Sequence, residues 1–253
     1  MESPNITKKQ TEIPYLLYRF RFLNTRHIQT MMNHKDPRRS NRWLLDLTKK
    51  GILERTYSKK FGENTKPAVY FLAKGSRNIL KGRKGVNEAL LNRIYRERTR
   101  SQSFRDQSMF IADVYLNLKS QTKGEYHFFT KSELEDHKYL PNPHPEAYIA
   151  INEGKELKRY FLKIIDKQVP RFVIRNQIKD LFKYYSSEKW QNQTKNPFPT
   201  VLIICPSYVT RAFVAKFIAE TRGYEEAELN FYLSTEDQIK AKGIKPDIWQ
   251  KAG

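Results

Sequence analysis

The sequence predicts an α+β fold in two parts: three short helices with a two-stranded hairpin, then an α/β domain built on a mixed sheet. Three observations predict it. Residues 24–72 contain two helix starts, then two strand-like runs separated by a turn rich in Lys, Gly and Asn. Downstream, strand-like and helical runs alternate after a hairpin around Asn152-Glu153-Gly154. Charge is also unevenly divided: residues 1–100 carry 24 Lys+Arg against 8 Asp+Glu, and residues 101–253 carry 23 against 19, within a net charge of +20. A basic first part joined to a nearly balanced second part implies different partners, with a polyanion such as nucleic acid facing the first.

Residues 1–12 are polar and read as a flexible tail. Residues 13–82 form the first domain, beginning with a helix over 13–23 whose apolar face is Leu16, Leu17, Phe20 and Leu23. Thr25, preceded by Asn24, is the expected N-cap of a second helix holding Ile28, Met31 and Met32. Asp36-Pro37 then gives an N-cap followed by proline at the first helical position. This third helix runs to Lys50 and stops at Gly51, which suits a left-handed C-cap. Leu44 and Leu47 face the core, while Arg38, Arg39, Asn41 and Arg42 occupy the exposed N-terminal turns. Arginine matches guanine edges or phosphates, and asparagine matches adenine.

Residues 52–56 and 68–72 are strand-like, and the turn between them carries Lys59, Lys60, Gly62, Asn64 and Lys66. Helices followed by a basic hairpin have the order of a winged helix-turn-helix, whose last helix enters the major groove and whose wing touches phosphate or the minor groove. Arg26 on the second helix completes the candidate DNA-binding set. His27 and His34 read as structural or phosphate-facing residues, because no further ligands accompany them. Residues 83–106, with arginines at 93, 96, 98 and 100, read as a basic linker helix, either lying along a DNA backbone or solvated.

The second domain spans 107–253. Phe110, Ile111, Val114, Leu116 and Leu118 mark an amphipathic helix, followed by an aromatic strand over 126–129 and a short element over 132–136. Strands are expected over 148–151, 157–165, 200–205 and 229–233, with helices over 171–189, 210–221 and 235–240. The single cysteine, Cys205, lies in the apolar run VLIIC and reads as a buried structural thiol. No apolar run approaches the roughly 18 residues of a membrane span, so the expectation is a soluble, cytoplasmic protein with no membrane partner.

Helix, hairpin, helix, strand, helix, strand is also the order of a PD-(D/E)xK nuclease core. Such a core needs two acids to hold Mg²⁺ and a lysine to position the attacking water. Glu146 is the candidate first acid. On the second strand Lys163 stands where the other acid belongs and Ile165 where the lysine belongs. A shifted register offers Asp166-Lys167-Gln168, with Lys179 available from the next helix. Glu146 and Asp166 are thus the candidate metal ligands, and Mg²⁺ is expected only if this divergent site works; a degenerate nuclease-like scaffold is the favoured reading. His127, His137 and His144 lack the spacing of a paired-histidine nicking motif, and no phosphate loop, nucleophile elbow or zinc spacing is present.

Two stretches together carry a family resemblance. LLYRFRFLNTRHIQTMM, RRSNRWLLDLTKKGILER and VYFLAKGS resemble the N-terminal winged helix of the replication-relaxation proteins of plasmids and other mobile elements. MFIADVYLNL, PEAYIAI with YFLKIID, and FPTVLIICPS resemble the C-terminal half of the same family. The resemblance implies a DNA-binding protein acting in plasmid replication, DNA relaxation or transfer. It also implies Pro-Asp and Glu-x-Asp on the two hairpin strands. Here Pro145-Glu146 and Lys163 or Ile164 depart from that pattern, while Asp166 matches.

The leading expectation is therefore a duplex DNA-binding protein whose second domain is a docking or dimerisation platform. One alternative is a Mg²⁺-dependent nuclease. Another is an assembly subunit of a nucleoprotein complex, with Tyr184, Tyr185 and Trp190 as a protein interface. Duplex is favoured over single strands because aromatic residues do not interleave the N-terminal basic face.

Overall fold

The computed structural model describes residues 6–57, 66–154, 156–225 and 229–252. The chain is a mixed α+β protein of two compact units, Met1–Leu116 and Asn117–Gly253.

In the first unit, α1 (Glu12–Phe20) buries Ile13, Leu17 and Phe20. It stops three residues short of the expected 13–23 because Arg21 takes a φ of 70° and turns the chain. Leu23 is buried from a strand instead, β1 (Leu23–Asn24). Asn24, rather than Thr25, caps α2 (Thr25–Met31): its side chain accepts the His27 N–H at 2.9 Å, and the His27 ring accepts the Asn24 N–H at 3.4 Å. Asp36 caps α3 (Pro37–Lys49) by accepting the Arg38 N–H at 2.9 Å. Leu44 and Leu47 are fully buried, and Gly51 follows with a φ of 66°.

Strands β2 (Leu53–Thr56) and β3 (Val69–Leu72) pair antiparallel, Leu53 opposite Leu72 and Thr56 opposite Val69. Strand β1 adds on the far side of β3, giving the order β1-β3-β2. Of the hairpin residues singled out above, Lys59, Lys60 and Asn64 lie outside the described residues, and Lys66 is exposed. Gly75 follows β3 and donates its N–H to the Gly51 carbonyl at 3.1 Å.

Residues 83–106 are not one linker helix. After α4 (Ser76–Leu80) the chain forms α5 (Glu88–Leu91), capped by Asn87, and a 3-10 helix over Ile94–Thr99. Burial of Leu91 and Ile94 explains the short pieces, since both dock on the first unit's core. Two arginines of this segment are bound within the first unit: Arg98 pairs with Glu54 at 2.9 Å and Arg83 with Glu12 at 2.8 Å. The long helix α6 (Gln102–Gln121) follows, and the boundary between the units falls within it.

The second unit holds a six-stranded mixed sheet. Its members are β4 (Tyr126–Thr130), β5 (Ala147–Glu153), β6 (Glu156–Ile164), β7 (Thr200–Cys205), β8 (Phe231–Thr235) and β9 (Gln250–Ala252), side by side in that order. The β6–β7 and β7–β8 pairs are parallel and the rest antiparallel. Helices α7 (Lys131–Leu134), α8 (Arg171–Ser186), α9 (Lys189–Thr194), α10 (Tyr208–Glu225) and α11 (Glu236–Lys242) complete it. One core joins Ile174, Ile178 and Phe182 of α8, Val214 and Ile218 of α10, and Val201, Ile203 and Phe231 of the sheet. Cys205 is buried there, and burial pushes its thiol pKa up to about 12.

The expected helix over 171–189 divides, because Glu188 adopts a left-handed φ of 52° and the chain restarts as α9. That break buries Trp190 against Phe161, Leu134, Leu140 and Tyr184. Tyr184 donates to the Tyr139 carbonyl at 2.7 Å, and the Trp190 indole donates to the Pro197 carbonyl at 2.9 Å. Tyr184 and Trp190 are therefore core residues and partly buried Tyr185 packs against the α8–α10 core and Phe198, which corrects their assignment to a protein interface. Among the described residues, no helix is long and apolar enough to cross a membrane.

Candidate nucleic-acid interface

Helix α3 has three faces, fixed by the 3.6-residue period. Ser40, Leu44 and Leu47 point inward. Arg38, Asn41 and Arg42 are exposed along the opposite face, where Leu45 and Lys49 continue the same line one and two turns on. Between these faces lie Arg39, Trp43, Asp46 and Lys50. Here the Arg39 guanidinium sits 4.7 Å from the centre of the Trp43 ring, and the His34 ring meets Trp43 edge-on at 4.7 Å. The fold thus brings together three of the four expected α3 residues and turns Arg39 onto a neighbouring flank. Arg26 is exposed on α2.

Leu45 and Lys49 escaped the sequence reading, although their spacing of seven and eleven residues from Arg38 places them on the same stripe. Leu45 is 42% exposed at the centre of an otherwise polar, cationic face. At about 1.5 Å per residue, the 13 residues of α3 span about 20 Å, enough to cross a major groove about 12 Å wide.

The electrostatics of α3 are one-signed. Its single acid, Asp46, accepts from Lys50 Nζ at 2.9 Å and from Gln10 Nε2 at 3.0 Å. The hydrogen bond from Lys50 holds the Asp46 carboxyl below the usual carboxylate range. Its charge is therefore balanced locally, leaving the outer face positive. His34, buried beneath, shares a 2.8 Å hydrogen bond with the Ser40 hydroxyl. Burial, and secondarily the Arg39 charge, lower its pKa from the ordinary 6.5. His27 contacts Asp113 at 2.8 Å. Both histidines are structural.

Of the residues considered for catalysis, Glu146 and Lys163 meet. Glu146 precedes β5 and meets Lys163 of β6, because Ala147 pairs with Leu162 and each lies one step beyond. The Lys163 ammonium is 3.8 Å from Glu146 Oε2, and each side chain is 13% exposed. The same oxygen accepts the Ile164 N–H at 3.3 Å. Asp166 sits in the turn after β6 and accepts the Gln168 N–H at 2.8 Å, and Lys179 is exposed on α8. Mg²⁺ requires several oxygen ligands in near-octahedral array. Among the described residues no group of three His, Cys, Asp or Glu could hold a metal, and Glu146 already faces an ammonium. These residues do not fit the ion as they stand. His144 Nδ1 bonds the Pro141 carbonyl at 2.8 Å, and His127 lies 3.7 Å from Glu125.

A cationic helix beside an antiparallel hairpin, followed by a mixed-sheet domain, defines an α+β protein with one strongly basic unit. The sequence profile of the replication-relaxation family matches residues 15–164, α1 through β6. The chain belongs to that family, which ties it to the replication and relaxation of mobile elements. No curated protein matches the sequence. Among solved structures, the chain is similar to the restriction endonuclease FokI, with 11% identity and a TM-score of 0.33, over 97% of this chain and 48% of that one. It is also similar to FokI bound to DNA, with 13% identity and a TM-score of 0.32, over 98% and 48%. The chain spans about half the length of these structures, and scores this low leave the fold to be argued from the chain itself.

Proposed function

We propose that this chain is a duplex DNA-binding protein acting in the replication or relaxation of a mobile element in the cytoplasm. On this reading the first unit is a winged helix: α2 and α3 form the helix-turn-helix, α3 lies in the major groove, and the β2–β3 hairpin is the wing. The second unit resembles a nuclease core in element order and serves as a platform for protein partners or a second copy. The observation that carries the reading is the exposed line of Arg38, Asn41 and Arg42 on a helix whose single acid is neutralised from its own side. So dense a cationic face is costly without an anionic partner. Binding by this face requires no metal or other cofactor.

The test replaces Arg38 and Arg42 by Ala and follows duplex affinity against salt. The expected loss is about 1–3 kcal/mol per arginine, with the log–log salt slope flatter by about 0.9 for each lost phosphate contact. Unchanged affinity and slope would discard the reading. The alternative is a Mg²⁺-dependent nuclease, and the Lys163 ammonium beside Glu146 counts against it. Metal-dependent nicking of supercoiled plasmid that vanishes in Glu146→Ala would replace binding with catalysis.

A further inference from the structure

We propose that the exposed side of α8, starting at its border with α10, is a second nucleic-acid surface, one that takes single-stranded DNA. Residues 101–253 are close to charge balance, 23 Lys+Arg against 19 Asp+Glu, yet α8 carries Arg171, Arg175, Lys179 and Lys183 against Asp180 alone. Among the described residues none of these four cations makes an ion pair. They recur every fourth residue, so they stand about 6 Å apart along the axis and drift about 40° around it at each step. The row therefore winds through about 120° over its length.

A second observation concerns the rings. Phe172 lies among these cations on the helical wheel and is 65% exposed, one of the most exposed large apolar side chains among the described residues. Unpaired bases stack on such rings, whereas paired bases do not offer their faces. The first two arginines are held in place: their guanidiniums lie 4.9 and 5.4 Å from the centre of the Phe213 ring on α10, and Arg175 also lies 5.7 Å from Phe217. Pre-positioned cations lose less freedom on meeting phosphates. An acidic peptide would satisfy the charges and leave the Phe172 ring without a stacking partner, so it serves as the competitor in the test.

The experiment uses the full chain with Arg38→Ala and Arg42→Ala already in place, which separates this surface from α3. Labelled oligo(dT) is titrated by fluorescence anisotropy. Binding is expected to persist in that background and to weaken at least about fivefold in Phe172→Ala. Phe172→Tyr should restore it, with the thermal midpoint unchanged in both. Adding Lys179→Ala with Lys183→Ala should flatten the salt slope by about 1.4, at about 0.7 per contact on a single strand. The proposal falls if oligo(dT) does not bind, if Phe172→Ala leaves affinity unchanged, or if polyglutamate displaces the strand as readily as unlabelled oligo(dT). Displacement by oligo(U) in preference to oligo(dT) would overturn the assignment to DNA.

Discussion

Leu45 occupies the middle of the most exposed line of α3, between arginine and lysine turns, and is 42% exposed. In a duplex-binding helix an apolar side chain at that place meets the C5-methyl of thymine, while Asn41, one turn earlier, suits adenine. Duplexes selected from a random pool by the wild-type protein should therefore share an A·T pair. Replacing its thymine by uracil removes one methyl and should weaken binding about fourfold, from about 0.8 kcal/mol of lost apolar burial. Leu45→Ala should bind both duplexes equally; equal sensitivity in wild type and variant would remove Leu45 from base reading. The buried neighbour His34 makes a different prediction. Its folded pKa lies below the ordinary 6.5, so as pH falls below about 6.5 the unfolded chain takes up a proton that the folded chain refuses. The stability is full above that pH and is lost progressively towards the folded pKa. His34→Asn can still bond Ser40, and should shrink the drop in thermal midpoint between pH 7 and pH 5; an unchanged drop would show that other groups cause it.

Elements meet through backbone as well as side chains, and Gly75 is the clearest case. A Cβ built there would lie 2.6 Å from the Gly51 carbonyl oxygen, which is backbone and cannot swing away. Gly75→Ala should cost about 1–3 kcal/mol by forcing β3 and the α3 C-terminus apart. Gly51→Ala meets open space but must hold a φ of 66°, at about 1–2 kcal/mol. Denaturant midpoints for the two variants check both, and a neutral Gly75→Ala would refute the close approach. The pair also shows what the sequence could reveal. Gly51 was legible because a helix ending on a left-handed glycine is a local signal, as was Asp36-Pro37 at the start of α3. Gly75 was not, since its constraint comes from a residue 24 positions away. The same divide separates the rest. Strands β5, β6 and β7 follow apolar runs and fell close to their expected places, whereas β1 is two residues long and exists only because β3 offers an edge. Arginines over 93–100 read as a linker helix, either along DNA or solvated, but Arg98 is paired with Glu54, a contact 44 residues long. On α3 the identities of Arg38, Asn41 and Arg42 were readable, and the helical period alone sets Arg39 on the flank; its stacking on Trp43 was not readable.

Across the whole molecule, the excess of positive charge lies in residues 1–100, and at the β5–β6 hairpin the second unit spends opposite charges on each other. Glu146 and Lys163 illustrate this. Each is 13% exposed, and the carboxylate divides itself between the ammonium and the Ile164 N–H. If that carboxylate were a metal ligand, millimolar Mg²⁺ would stabilise the folded chain by mass action, about 2.7 kcal/mol at a hundredfold excess over Kd. For a chain of this size that is a rise of roughly 5–10 °C in thermal midpoint. The expected outcome is no rise beyond that of Na⁺ at matched ionic strength. Glu146→Gln separates the two roles further. It keeps an oxygen for the Ile164 N–H but leaves Lys163 without its counter-charge, and should cost about 1–3 kcal/mol. Lys163→Met in the same chain should recover most of that loss, because a balanced pair can be exchanged for apolar packing at little cost. A Mg²⁺-dependent rise in the wild type, abolished in Glu146→Gln, would instead make the carboxylate a ligand and return the second unit to catalysis.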